Sequence, residues 1–311
     1  MGKRAGVNRI GFIGFGAVAS TLAPPLFAHG GKISAYDVLV DDGEGMEALK
    51  RRAGGVPVEF GNRADVMTRS DIVLSTVTTD VAMPAAAACA PFLGHGQIYV
   101  DLNAISPTIK RRIAETIRGS SADFVEGAIL GAIGVTGANT RILVCGEKAK
   151  FTARTLREFG LNTEFYGREV GRASVFKLLR SVFSKGMEAL LLESLIAARR
   201  AGVGDDVWQE IVATLRDKPF SEVAGNWMRT HGTAHARRYH EVVQVQELLQ
   251  DLGVEPLITR STAAFFERST RFKLASRFEK PPKSPEEVLS VLDELLGNSS
   301  VEGREPVDAS K

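Results

Sequence analysis

Short apolar runs alternate with amphipathic stretches through the first half of the chain, the rhythm of successive βαβ units around a parallel sheet. The runs predict strands at 9–13, 32–36, 56–60, 71–77, 97–101 and 124–130. Between them the spacing predicts helices, among them one over 107–117, with Ser106 placed to cap it and Pro107 in its first turn. Pro24 and Pro25 fall inside the first expected helix. Neither can donate a backbone hydrogen bond, which predicts a short or kinked helix there.

Beyond about residue 168 the strand pattern stops and helical periodicity takes over. The longest stretch, 172–201, repeats Val175, Leu179, Val182, Phe183, Met187, Leu190 and Ala197 before Gly202 ends it. Further helices are expected at 205–215, 234–252 and 259–274, and one over 285–296. The fold class read from this pattern is α/β: a Rossmann-type doubly wound parallel sheet, then an all-α C-terminal domain reached through a long interdomain helix. The divisions are 1–168 for the α/β part, 169–275 for the all-helical part, and 276–311 as a polar tail, disordered in part from Gly297.

A chain of 311 residues is long for one core, in keeping with two domains. Its net charge of +2 is spread along the sequence, giving no electrostatic case for nucleic acid or a membrane surface. No apolar run reaches the roughly 18 to 20 residues that span a bilayer. Glycines at 11, 14 and 16 break the early apolar stretch that would otherwise read as a secretion signal. Cys89 and Cys145 are too few for a disulfide framework and fit a reducing compartment, so a cytoplasmic protein is expected.

The chemistry begins at Gly14-Phe15-Gly16-Ala17-Val18-Ala19, which follows an expected strand and opens an expected helix. Such a turn lets the backbone approach a pyrophosphate lying on the helix N-terminus. Asp37 ends the next strand about 20 residues on, where a carboxylate accepts hydrogen bonds from ribose hydroxyls and repels a 2′-phosphate, favouring NAD, with NADP as the alternative cofactor. Asp41 and Asp42 compete for that role. Ser75, Thr76, Val77 and Thr78 end one strand and Asn103 follows another, at the carboxyl edge where a ribose, nicotinamide or substrate lies. Ordinary loop polarity is the plainer account of these residues.

Lys177 opens the long helix, and Arg180, Ser181, Ser184, Lys185 and Glu188 share its face. Periodicity alone reads this as a solvated stripe. The glycine-rich stretch 126–134, another strand end leading into a loop, argues instead for a substrate nearby.

Taken in order, IGFIGFG at 10–16, VDLNAISP at 100–107, the Gly131 region and KLLRSVFSKGMEALLLE at 177–193 resemble the β-hydroxyacid dehydrogenases, the superfamily of 3-hydroxyisobutyrate and 6-phosphogluconate dehydrogenases. The resemblance runs from about 8 to 275 and is to a subgroup with a divergent helical C-terminal domain. It implies an NAD(P)-dependent oxidoreductase moving hydride between nicotinamide and a hydroxy acid or its keto form, with Lys177 as general base in oxidation and acid in reduction. Burial and a nearby Arg180 or Lys185 would lower the Lys177 pKa.

Several positions depart from the family pattern. The Ser-Gly-Gly substrate loop reads Leu130-Gly131-Ala132, both amides after the lysine are replaced by Arg180 and Ser181, a Ser-Thr pair reads Asn103-Ala104, and a cofactor-side Lys-Asp reads His240-Glu241. Arg180 offers a guanidinium fork for a substrate carboxylate, with Arg237 and Arg238 as weaker candidates. His231, His235 and His240 lack an acidic or cysteine cluster at metal spacing, so no metal is expected. A homodimer or higher oligomer is expected, because the striped long helix needs partners and the family commonly assembles. Two other readings stand beside the dehydrogenase: an imine-reductase-like C=N reductase, a type that generally lacks the lysine, and a non-catalytic nucleotide-binding regulatory or scaffold protein.

Overall fold

The computed structural model describes residues 7–302, which fall in two compact units, Met1–Val182 and Phe183–Lys311. In the first unit the strands are β1 (Arg9–Ile13), β2 (Lys32–Tyr36), β3 (Val58–Phe60), β4 (Ile72–Ser75), β5 (Ile98–Asp101), β6 (Asp123–Leu130), β7 (Arg141–Cys145) and β8 (Thr163–Gly167). They form one sheet in the order β3-β2-β1-β4-β5-β6-β7-β8, parallel throughout except where β7 runs antiparallel to β6. The chain winds outward through β2 and β3, then returns to start again beside β1 at β4. That reversal opens a crevice outside the carboxyl ends of β1 and β4.

Side-chain alternation along the strands feeds two cores. Ile10, Phe12, Ile72, Leu74, Ile98 and Val100 pack on one face, while Ile13, Val73 and Tyr99 pack on the other. The helices covering the faces are α1 (Ala17–Ala28), α2 (Gly43–Ala53), α3 (Arg63–Arg69), α4 (Ala82–Cys89), α5 (Pro107–Arg118), the single turn α6 (Ile133–Thr136) and α7 (Ala149–Glu158). Ser106 accepts from the Ile109 N–H, the cap expected for α5.

In this unit two expectations need correction. Helix α1 is not short: it runs twelve residues with Pro24 and Pro25 inside it. Ala19, Leu22, Ala23 and Leu26 are all fully buried along one side, and that burial outweighs the two lost backbone hydrogen bonds. Strands β7 and β8 were absent from the expected set and extend the sheet beyond β6.

The chain leaves the first unit within α8 (Arg172–Arg200). The second unit is helical, with α9 (Gly204–Arg216), α10 (Phe220–Asp251), α11 (Leu257–Arg271) and α12 (Pro285–Glu302). Helix α10 begins fourteen residues before its expected start at 234, and α12 continues past Gly297, where a tail was expected to begin; the tail from 303 onward lies outside the described residues. Glu193 of α8 caps α11, accepting from the Ile258 N–H at 2.8 Å and the Thr259 N–H at 2.9 Å. Among the described residues no helix is long and apolar enough to cross a membrane.

Candidate functional site

The turn after β1 depends on Gly14. Its φ of +80° lies in the left-handed region, and a Cβ there would stand 2.9 Å from the Thr76 carbonyl oxygen. Gly14 donates to the Tyr36 carbonyl at 2.8 Å, while Thr76 Oγ1 donates to the Gly14 carbonyl at 2.7 Å, so the turn is fixed between β2 and β4. Gly16 then starts α1 with no side-chain cap, leaving the first-turn N–H groups for an anion. Beside the turn is a cavity of about 640 Å³, lined by Gly14, Gly16, Ala17, Val18, Asp37 and Thr76 together with Val77, Thr78 and the apolar side of α4. A bare glycine turn on an uncapped helix, opening on a cavity of this size, fits the phosphates of a dinucleotide. Phe15 contributes no side chain, since its ring is wholly buried against Phe12 and Phe60.

Asp37 lines the same cavity, yet both its oxygens already accept backbone N–H groups: Oδ2 from Phe15 at 2.7 Å and Oδ1 from Leu39 at 3.1 Å. It therefore ties the end of β2 to the glycine turn, and each oxygen keeps a lone pair for a ligand hydroxyl. Asp42 is spent capping α2 through the Gly45 N–H. Arg63, which no sequence pattern marks, also lines the cavity. Its guanidinium lies 4.7 Å from the Tyr36 ring centroid and donates to the Tyr36 hydroxyl at 3.2 Å, while its Nε is buried without a partner.

At the ends of β4 and β5 the polar residues interlock. Ser75 and Asp101 are fully buried and Asn103 nearly so; Asn103 Nδ2 donates to Ser75 Oγ at 3.0 Å and to Asp101 Oδ2 at 3.1 Å. Lys110 of α5, also fully buried, donates to Asp101 Oδ1 at 2.5 Å. The sequence does carry a trace of this lysine: Lys110 stands at the start of the stripe Ile113, Ala114, Ile117, in a position an apolar residue would take.

Gly131 follows the end of β6 with φ +112°, and nothing lies within 4 Å of where its Cβ would be, so backbone is open to approach there. The same strand carries Glu126, completely buried, whose carboxylate accepts from the Gly171 N–H at 2.5 Å and the Ser174 N–H at 2.8 Å. This pins the first turn of α8 to the sheet and so fixes where Lys177 emerges one turn later. Lys177 is half-buried. Its pKa is held below the ordinary lysine value, first by burial and second by the charge of Lys110. The neighbouring charge is thus Lys110, and neither Arg180 nor Lys185 contributes as expected. Arg180 is exposed, and Ser181 Oγ donates to the Lys177 carbonyl at 2.9 Å.

His240, Arg237 and Arg238 belong to α10 of the second unit. His240 is exposed beside Tyr239; Arg237 pairs with Glu241, and Arg238 donates to Thr230 Oγ1 at 2.7 Å. His231 is buried and shares a 2.9 Å hydrogen bond with Ser269.

Residues 9–163 match the NAD binding domain of 6-phosphogluconate dehydrogenase, and residues 198–269 match a domain of unknown function (DUF1932). Over 263 residues the chain is 30% identical to an uncharacterized 28.5 kDa protein of Methanothermus fervidus, spanning 83% of this chain and 97% of that one. It is 34% identical, with a TM-score of 0.57, to a solved conserved protein described as structurally similar to 3-hydroxyacid dehydrogenases, over 86% of this chain and 98% of that one. The chain belongs to the β-hydroxyacid dehydrogenase superfamily. Membership makes it a nicotinamide-dependent oxidoreductase of the dehydrogenase/reductase type. An imine reductase from Myxococcus stipitatus, solved with NADP+, shares the fold at a TM-score of 0.72 and 18% identity, over 88% of this chain and all of that one.

Proposed function

We propose that this superfamily member interconverts a hydroxy acid and its keto form, with Lys177 as the general acid and base. The observation that carries the reading is the half-buried Lys177 amine, set by the Glu126 anchor of α8 and held below the ordinary lysine pKa. Bound nicotinamide would supply the hydride acceptor or donor. The chain's own residues do the rest. Gly14, Gly16, Ala17 and Val18 present backbone to the pyrophosphate, and Thr76 to Thr78 close the cavity. Asp37 places a fixed negative charge beside the ribose, so NADH is expected to bind more tightly than NADPH, although Arg63 in the same cavity acts in the opposite direction. Lys177 Nζ takes the proton from the substrate hydroxyl during oxidation and returns it during reduction. Gly131 and Arg180 receive the substrate, Arg180 as the fork for a carboxylate.

Assay of purified protein over hydroxy-acid, sugar-acid and alcohol panels with NAD and NADP tests the activity. Lys177→Ala is expected to abolish turnover and leave cofactor affinity nearly intact; retained turnover would remove the assigned base. Reduction of a C=N bond is the second reading, supported by the shared fold alone, and Lys177 speaks against it. Leu179, Val182 and Phe183 on α8 are more than half exposed, which supports self-association of the enzyme. Size-exclusion chromatography with light scattering checks that assignment.

A further inference from the structure

The buried polar chain from Lys110 to Asn103 has a direction. Lys110 Nζ has three acceptors, Asp101 Oδ1 at 2.5 Å, the Asp101 carbonyl at 2.7 Å and the Gly127 carbonyl at 3.2 Å, which matches its three N–H groups. Asp101 Oδ1 also accepts from the Asn103 backbone N–H at 3.0 Å, and Oδ2 accepts from Asn103 Nδ2. Both protons of the Asn103 amide are therefore committed, one to Asp101 and one to Ser75. Turning the amide over would set its carbonyl against the Asp101 carboxylate, so the orientation is fixed. What remains is Asn103 Oδ1, buried in a residue only 5% exposed and without a hydrogen-bond partner. A buried carbonyl left unpaired costs about 1–3 kcal/mol, a cost that a ligand donor would relieve.

We propose that Lys110 and Asp101 are positioning residues that hold the Asn103 carboxamide just beyond the carboxyl end of β5 with its oxygen uncommitted, so that the ligand group received there is an N–H or O–H donor. A carboxylate or phosphate has nothing to offer this oxygen. The position therefore offers an acceptor only, where the hydroxyl pair for which the sequence substitutes Asn103-Ala104 could donate or accept, and a substrate carboxylate belongs elsewhere, at Arg180. Two groups carry the required donor: the carboxamide of nicotinamide, and the hydroxyl or amine of the substrate. The inference rests on the proposed oxidoreductase site for its ligands and is independent of the role given to Lys177.

The test measures dissociation constants by calorimetry for NADH and for the reduced 3-acetylpyridine analogue, whose ring carries a methyl ketone in place of the amide NH2. Proteins are the wild type, Asn103→Leu, and the double variant Asp101→Asn with Lys110→Met, which removes both buried charges together and whose fold is checked by thermal melting. If the cofactor amide is the donor, Asn103→Leu weakens NADH about tenfold and leaves the analogue unchanged, and the double variant behaves in the same way. If the substrate is the donor, neither variant moves the NADH constant, and both raise KM about tenfold for the best substrate of the panel. Should the double variant not fold, Asn103→Leu and Asn103→Ser carry the same comparison. Unchanged affinity and KM in Asn103→Leu would overturn the proposal. So would a folded double variant with wild-type constants, or a loss in Asn103→Leu confined to carboxylate inhibitors. Turnover surviving Lys177→Ala would instead remove the acid/base reading and leave these binding results standing.

Discussion

Ser174 donates its backbone N–H to Glu126 Oε1 at 2.8 Å, and it stands three residues before Lys177. The Gly171 N–H takes the other carboxylate oxygen, so one fully buried side chain satisfies two of the donors that a helix start leaves open. Each such bond to a charged acceptor is worth about 1.5–3 kcal/mol. Glu126→Ala is accordingly expected to cost about 3 kcal/mol or more in urea unfolding, and Glu126→Gln about half as much, since Gln keeps one acceptor. A change below about 1 kcal/mol in the alanine variant would show that the carboxylate does not hold the helix.

Lys177 gives a pH signature because its folded pKa lies below the ordinary value of 10.5. Below the folded value both native and unfolded chains carry the proton, and the native state bears the whole cost of a poorly solvated ammonium. As pH rises between the folded and unfolded values that cost disappears, so native stability rises. Lys177→Met is expected to melt above wild type at pH 7, with the difference closing towards pH 10.5. In turnover, the oxidative rate is expected to rise with pH along a limb set below 10.5 and to lose that limb in any residual activity of Lys177→Ala.

How much of this was legible follows from what each residue competes with. β1 and β2 match their expected bounds, β1 as a buried run after Arg9 that the glycine turn ends, and β2 as an alternation in which Ile33 and Ala35 are buried. β8 hid because an edge strand leaves Glu164 and Phe165 exposed, and β7 because a βαβ rhythm has no place for an antiparallel neighbour. α10 starts fourteen residues before the expected 234, across a stretch that holds Gly225 and Gly232, and glycine weakens a helical pattern. In space Gly232 serves packing, since a Cβ there would come within 2.7 Å of Pro282. The glycine turn and Asp37 could be read directly, whereas Lys177 stood out only through family resemblance. Lys110 was masked by the Lys-Arg-Arg run around it, which reads as a solvated face, and Glu126 by a partner 48 residues away.

His231 yields a stability test in the second unit. Burial is the main cause that pushes its pKa down to about 4 from 6.5, and His235 and Arg238 add to it. The ring faces Phe265, Phe266 and the Ser269 hydroxyl, none of which compensates a positive charge. Between pH 6.5 and 4 the unfolded chain binds the proton that the folded chain refuses, so stability falls as the solution is acidified through this window. Thermal midpoints over that range are expected to decline less steeply in His231→Gln than in wild type. Parallel slopes would assign the acid loss to other groups.

Asp37 separates two roles that one substitution would otherwise merge. Its oxygens hold the Phe15 and Leu39 N–H groups, so Asp37→Ala leaves two backbone donors without partners and is expected to cost about 1–3 kcal/mol of stability whatever the ligand. Asp37→Asn keeps one acceptor and removes the negative charge. If that charge faces a ribose, the asparagine variant weakens NADH and tightens NADPH, moving the ratio of their dissociation constants by about tenfold, the effect of roughly 1.4 kcal/mol of differential interaction. If the carboxylate serves only the turn, both cofactors weaken together and the ratio stays at its wild-type value. The ratio, rather than either constant, is the quantity that decides, because a loosened glycine turn lowers affinity for both cofactors while only a charge beside the 2′ position tells them apart.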